Sequence, residues 1–424
     1  MRFTNLLHHV TVGALEDAYR SLKRSASPGI DGVTWEEYGE DVVVRLIDLH
    51  DRVHGGRYRA QSSKRAWIPK ADGTKRPLGI AALEDKIVQL AVSRVLQAIY
   101  ETDFAGFSYG FRPGRGQHDA LDAVWVGITQ RKVSWIVDAD IKGFFATLNH
   151  EWLMKFLEHR VADPRLLRML RQWLRAGVSE SGAWSATTVG TPQGAVISPL
   201  LANVYLHYVL DLWIKWWRNQ GEVGDVIVVR YADDFVVGFQ READAKRFLH
   251  DLRERLAKCA LTLHPEKTRL IEFGRCAMSN RQERRAGKPE TFNFLGFTHR
   301  CAKRRSDGSF TVIRTTMAKR LGATVQRIGQ ALKANRALPL VEQGKWLGAV
   351  VRGWLNYHAV PGNSPAIHQF RNRIVDAWRR ALSRRSQTAR TGTTWIIMRK
   401  LAERFLPPAS ILHPYPNERL RVTT

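Results

Sequence analysis

The chain has 424 residues, with 66 Lys and Arg against 40 Asp and Glu, giving a net charge of +26. Its 44% hydrophobic content excludes a disordered chain, and three scattered cysteines exclude a disulfide framework or a cysteine-built zinc site, which fits a reducing compartment. The longest apolar stretch, residues 195–217, is broken by Ser198-Pro199, Asn203, His207, Asp211 and Lys215 and cannot span a bilayer, and the opening MRFTNLLHHV lacks the apolar run of a signal peptide.

In chain order, residues 84–100 carry apolar side chains at helical spacing without Gly or Pro, which predicts a helix. Residues 133–137 read as a strand that runs into Asp138-Ala139-Asp140. Residues 226–230 and 235–239 read as a strand pair, and 241–260 as an amphipathic helix with Phe248, Leu249, Leu252 and Leu256 on one side. Residues 270–273 and 292–297 read as further strands, and 317–334 and 366–385 as helices. Strands in the middle and helices at the end predict an α+β fold with a helical C-terminal domain. Residues 309–424 hold 20 Lys/Arg and 4 Asp/Glu, a net of +16, so a domain boundary is placed near 309. With no Gly/Ser linker, the domains are expected to pack directly on one another.

Such an excess of positive charge points to phosphate backbones. An anionic membrane surface fits less well, because neither end carries a basic amphipathic helix with a clean apolar face. In the basic tail, Trp346, Trp354, Tyr357, Trp378 and Trp395 are interleaved with the cations. They suit base stacking beside phosphate contacts, or equally the core of a helical domain with a solvated basic face. Arg379, Arg380, Arg384 and Arg385 form a cationic cluster in this tail and are the expected RNA contacts.

The most informative segment is VIVVRYADDFVVGF, residues 226–239. Two apolar runs flank a tight turn carrying Asp233 and Asp234. Asp138 and Asp140, two apart on a strand, point to one face. Carboxylates from two adjacent strands can hold two Mg²⁺ ions about 3.5–4 Å apart, the arrangement used for in-line nucleotidyl transfer. Asp233 and Asp234, with one or both of Asp138 and Asp140, are therefore the candidate catalytic and metal-binding residues. HExxH, GxxxxGK[ST] and GxSxG are all absent from the sequence.

A set of motifs in a fixed order resembles the reverse transcriptases encoded within bacterial group II introns, also called intron maturases. They are RFTNLLHHV (2–10), SPGIDGVTW (27–35), IPKADGTKRPLGIA (68–81), FSYGFRPGRG (107–116), residues 138–145, GTPQGAVISPLLAN (190–203), YADD (231–234), LTLHPEKT (261–268), NFLGF (293–297), GWLNY (353–357), PGNS (361–364) and ILHPYP (411–416). The resemblance implies a right-hand polymerase: fingers over 1–132, a palm with an antiparallel sheet over 133–308, and a helical thumb/maturase domain over 309–424. It implies RNA-directed DNA polymerisation from dNTPs onto a primer 3′-hydroxyl, with Mg²⁺ or Mn²⁺, and binding of intron RNA that assists splicing and retrohoming. By the same resemblance, Asp140, Asp233 and Asp234 match the catalytic, metal-binding aspartates, with Asp138 the weaker candidate; Lys70 and Arg76 hold the incoming triphosphate, Phe145 crowds a ribose 2′-hydroxyl, and Gln193 lines the nucleotide pocket. A cytoplasmic, bacterial location, nucleoid-associated when acting on DNA, follows too. The alternatives are a splicing cofactor with a relic polymerase site, or a retron or diversity-generating reverse transcriptase.

Three features depart from the family pattern. Ala146 and Asn149 stand where Asp is common, and Met1 abuts the first motif, so an N-terminal extension is expected to be missing. No Cys/His-rich endonuclease module is expected after ILHPYP.

Overall fold

The computed structural model describes residues 1–69, 75–180, 183–185, 189–191, 194–220 and 224–420. A 3-10 turn at Leu6–His9 leads into α1 (Val12–Ser21), α2 (Trp35–Gly39) and α3 (Val42–His54). Helix α1 starts where Thr11 Oγ1 accepts from the Ala14 amide, and α2 at a reciprocal capping box between Thr34 and Glu37. The hairpin β1 (Ser63–Pro69) and β2 (Lys75–Ile80) follows, then α4 (Leu83–Tyr100) and α5 (Gln117–Gln130). The apolar spacing of α4 buries Ile87, Val88, Val92 and Leu96, as the sequence predicts.

The middle of the chain holds β3 (Trp135–Asp140), α6 (Phe144–Thr147), α7 (His150–Glu158), α8 (Pro164–Arg175), β4 (Val178–Glu180) and β5 (Ala183–Ser185). Helix α9 (Ser198–Leu206) then runs through a π-turn, His207–Asp211, into α10 (Leu212–Arg218). Next come β6 (Val226–Tyr231), β7 (Asp234–Phe239), α11 (Glu242–Lys258), β8 (Arg269–Glu272), α12 (Ala277–Glu283), β9 (Phe292–Phe294), β10 (Phe297–Lys303) and β11 (Phe310–Thr316). The last part is helical: α13 (Ala318–Ala334), α14 (Leu340–His358), α15 (Ser364–Leu382), α16 (Gln387–Gly392), α17 (Trp395–Phe405) and α18 (Pro416–Arg419).

Three sheets result, with strand orders β2-β1-β4-β5, β6-β7-β3-β8 and β11-β10-β9. The second is antiparallel throughout, with β7 and β3 at its centre. Two expectations shift. The strand expected at 133–137 starts at Trp135 and continues through Asp140, so both acids sit on the strand itself. The strand expected at 292–297 is two, because Leu295 and Gly296 both take positive φ (46° and 86°) and reverse the chain in a two-residue turn.

One core joins the N-terminal helices α1, α3 and α4 to β3, α7–α11 and the face of the central sheet. A second packs α5 between the central sheet and β9–β11. A third is built from α13, α14, α15 and α17 alone, beginning at Leu321. The composition break at Ser309 falls in the turn between β10 and β11, whose strands belong with the sheets; the separate helical core begins beyond them. Asn363 ties the two parts: its side chain accepts from the Thr316 amide (2.9 Å) and donates to Thr316 Oγ1 (2.8 Å) and the His358 carbonyl (2.7 Å). Among the described residues, no helix is long and apolar enough to cross a membrane.

Candidate active site

The central sheet brings the four acids to one end. Asp140 lies opposite Asp234 across the β3–β7 pair, while Asp138 lies opposite Val236 on one side and Arg269 on the other. On β3, Asp138 and Asp140 are half-buried on one face while Ala139 between them is buried on the other. Asp234 opens β7 rather than sitting in the turn; the turn proper is Ala232-Asp233. Ala232 takes a φ of 56°, a left-handed conformation that costs a residue with a Cβ roughly 1–2 kcal/mol.

Charge at this end is crowded. Burial raises the Asp234 carboxyl to about 8, and Asp138, Asp140 and Asp233 push it the same way, against Arg320. Burial also raises Asp138, to about 6, against Arg269. Asp233 is raised by burial and by Asp140, while Arg76 and Arg230 oppose the shift. Lys267 Nζ stands 2.7 Å from Asp140 Oδ2, and Arg269 3.5 Å from Asp138.

Among the described residues, no three His, Cys, Asp or Glu side chains already stand close enough to share an ion. Asp140 is instead paired with the Lys267 ammonium. The donor set nevertheless fits hard divalent cations: it offers carboxylate oxygens, and burial together with neighbouring carboxylates raises the proton affinity of Asp138, Asp233 and Asp234, an imbalance that added positive charge relieves.

The surroundings are built by short-range geometry. Gly143, with φ 59°, lets the chain turn from β3 into α6, leaving Phe144 buried and Phe145 half-exposed. The Phe145 carbonyl accepts from the Thr191 amide and the Leu148 carbonyl from the Gly190 amide, both at 2.8 Å, which docks Gly190 and Thr191 on α6. His150 Nε2 lies 2.5 Å from the Gly190 carbonyl. On the other side, a Cβ on Gly194 would sit 3.0 Å from the Gly79 carbonyl, so Gly194 abuts β2. Arg76 projects from β2 as an exposed cation whose field reaches Asp233. Lys70 and Gln193 lie outside the described residues. Asn149 caps α7 by accepting from the Trp152 amide at 3.0 Å, so a neutral residue does the capping there; Ala146 is exposed.

The expected RNA-contact arginines lie outside this site, on α15 and the turn after it. Arg379 stacks on Trp395 at 4.7 Å, Arg380 pairs with Asp376 at 2.9 Å, Arg385 donates to the Leu338 carbonyl at 2.6 Å, and Arg384 is exposed. Of the interleaved aromatics, Trp378 is buried and Trp354 stacks on Phe370 at 3.7 Å, whereas Trp346 and Trp395 are 39% and 56% exposed.

Sequence reading missed Lys267, Arg269 and the buried pair Arg230–Asp211. The signal for the last was present: a charged residue inside each of two apolar runs, which burial permits only when they are paired.

Residues 68–299, more than half the chain, match the family described as "Reverse transcriptase (RNA-dependent DNA polymerase)". Among curated relatives, Protein YkfC of Escherichia coli (strain K12) is 35% identical over 245 residues, 51% of this chain and 64% of that protein. The group II intron-encoded protein LtrA of Lactococcus lactis subsp. cremoris is 35% identical over 213 residues, 48% of this chain and 35% of that protein. An uncharacterized 91 kDa protein in the cob intron of Schizosaccharomyces pombe is 35% identical over 206 residues, 48% of this chain and 25% of that protein. Each of these matches spans less than two thirds of the relative's length. With four carboxylates gathered at one end of an antiparallel sheet and the family matched across all of them, the chain belongs to the reverse transcriptases.

Proposed function

We propose that this protein is the RNA-directed DNA polymerase of a group II intron, extending a DNA primer with dNTPs on an RNA template and binding intron RNA to assist its splicing. The observation that carries the reading is the convergence of Asp140, Asp233 and Asp234 at the paired ends of β3 and β7. Those three residues would hold divalent cations, Mg²⁺ by their oxygen chemistry, which when bound activate a 3′-hydroxyl and stabilise departing pyrophosphate.

The protein's own groups then have distinct tasks. Arg76, with Lys70, neutralises the triphosphate of the incoming nucleotide by charge-assisted hydrogen bonds. Phe145, half-exposed beside the β3 end, crowds the sugar 2′ position; the role proposed for Gln193, contact with the incoming nucleotide, rests on the sequence resemblance alone. Lys267 and Arg269 balance the carboxylates when the site holds no cation. The architecture is read as a right hand with fingers through 132 and a palm from 133. The helical thumb starts at α13 rather than 309, since the β10–β11 hairpin packs with the sheets. The thumb's exposed Arg384, Trp346 and Trp395 suit contacts with phosphates and bases of intron RNA.

The test is Mg²⁺-dependent dNTP incorporation on a primed RNA template by wild type and by the Asp233→Ala/Asp234→Ala double variant. Incorporation by the wild type and none by the variant supports the assignment; equal incorporation by both removes it.

A further inference from the structure

Arg230 interrupts the apolar run of β6 and is fully buried, as is Asp211. Leaving a guanidinium in such a place without partners is costly, so its hydrogen bonds define its role. Arg230 Nε donates to Asp211 Oδ1 at 2.7 Å and Nη2 to Asp211 Oδ2 at 2.5 Å, a fork-to-fork pair. Its Nη1 donates to Asn203 Oδ1 at 3.1 Å and to the Ala232 carbonyl at 3.0 Å. That carbonyl belongs to the strained residue of the turn and forms the peptide that carries Asp233.

Two further groups close on the same turn. Asn203 Nδ2 donates to the Gly110 carbonyl at 2.7 Å. Gly110 lies directly beneath the turn, where a Cβ would meet the Ala232 nitrogen at 2.4 Å. The β6 backbone is held as well: Arg230 N donates to the Phe107 carbonyl at 2.9 Å and Tyr109 N to the Arg230 carbonyl at 2.8 Å. Asp211 reaches inward because it ends the π-turn between α9 and α10, and such insertions recur where a side chain must be re-aimed.

We infer that Arg230, oriented by Asp211 and Asn203, is a positioning residue that locks the strained Ala232-Asp233 peptide and so fixes the catalytic carboxylates for cation binding. The inference rests on the polymerase reading for its consequence, but its geometry does not. Asp211 neutralises the Arg230 charge at contact distance, so the main effect of the guanidinium is to hold the turn rather than to supply a field. Lysine cannot substitute: a single ammonium cannot serve both Asp211 oxygens, Asn203 and the Ala232 carbonyl together.

The experiment compares wild type, Arg230→Met/Asp211→Leu, Arg230→Lys and Asp233→Ala/Asp234→Ala. The first variant replaces the buried pair by apolar groups of similar bulk, a change that is often neutral for stability. Thermal melting monitors folding, Mn²⁺ binding by electron paramagnetic resonance reads the acid site without substrate, and primer extension gives kcat and the dNTP KM. Expected for Arg230→Met/Asp211→Leu is a cooperative melt, Mn²⁺ affinity weakened about tenfold or more, and kcat lowered about 100-fold with KM little changed, as for a small misplacement of reacting groups. Arg230→Lys, the variant that decides if the first does not fold, falls between. A folded variant of either kind with wild-type Mn²⁺ affinity and kcat overturns the inference. Wild-type protein that binds Mn²⁺ through Asp233 and Asp234 yet incorporates no nucleotide refutes the polymerase reading, while the Mn²⁺ affinities still decide the role of Arg230.

Discussion

Gly110→Ala adds one methyl group directly behind the Ala232-Asp233 turn. The new Cβ would lie 2.4 Å from the Ala232 nitrogen, 3.0 Å from the Tyr231 carbonyl carbon and 3.2 Å from the Ala232 Cα, where ordinary contact begins at about 3.4 Å. All three are backbone atoms, so no side-chain rotation relieves the overlap. Gly110 is not among the glycines with positive φ, so alanine is conformationally acceptable there and the clash is the whole perturbation. The hairpin tip has to retreat by about 1 Å from Gly110, shifting Asp233 and the start of β7 relative to Asp140 on the neighbouring strand. A displacement of that size costs about 100-fold in rate, or about 2.7 kcal/mol of activation free energy. Overpacking itself costs about 1–3 kcal/mol of stability, which lowers the melting temperature by several degrees. The assay is the initial rate of dTTP incorporation on an oligo(dT)-primed poly(rA) template, beside a thermal melt. Gly322→Ala is the control: its Cβ meets nothing within 4 Å in the interior of α13, so stability rises by about 0.5–1 kcal/mol with the rate unchanged. A Gly110→Ala rate within threefold of wild type would refute the reasoning, because the turn would then tolerate a 1 Å shift.

Phe145→Val should admit ribonucleotides, raising the rNTP/dNTP incorporation ratio at least several-fold; loss of activity without a change in that ratio would mark Phe145 as a packing residue. His299 is fully buried against Phe292, with ring centroids 4.6 Å apart, and burial followed by the nearby Arg314 lowers its pKa to about 3. The unfolded chain takes up this proton near pH 6.5 and the folded one does not. The neutral imidazole therefore contributes stability that is present above pH 6.5 and lost as pH falls towards 3, up to roughly 5 kcal/mol across that range. His299→Phe should flatten the acid limb of the urea-unfolding midpoint; an unaltered slope between pH 6.5 and 4 would exclude His299 as its source. Charge reversal at Arg380 and Arg384 should weaken intron RNA binding and reduce its dependence on log salt concentration by about 0.7–0.9 per lost phosphate contact. Identical filter-binding titrations for variant and wild type would leave the basic face as a solvated surface.

Sequence by itself determined the elements whose signals are local. Helix α4 follows from apolar spacing, the β6–β7 hairpin from two apolar runs around YADD, and the position of Asp138, Asp140, Asp233 and Asp234 on or beside strands from the apolar runs that bound them. The charge break near 309 located the basic helical part but not its packing edge, because charge reports a surface whereas the edge depends on which core the β10–β11 hairpin joins. The strand at 292–297 was divided by two left-handed residues, one of them a leucine that carries no such signal. Only the tertiary structure decided that Asp140 faces Asp234, that Lys267 answers Asp140, and that Gly110, Asn203, Asp211 and Arg230 meet behind one turn. Those residues are spread over 121 positions, so their contacts follow from chain topology rather than local propensity. Their separate signals, a glycine in a loop and charges in apolar runs, required that each find a close neighbour or a partner; only the assembled sheet and its flanking π-turn determined which one.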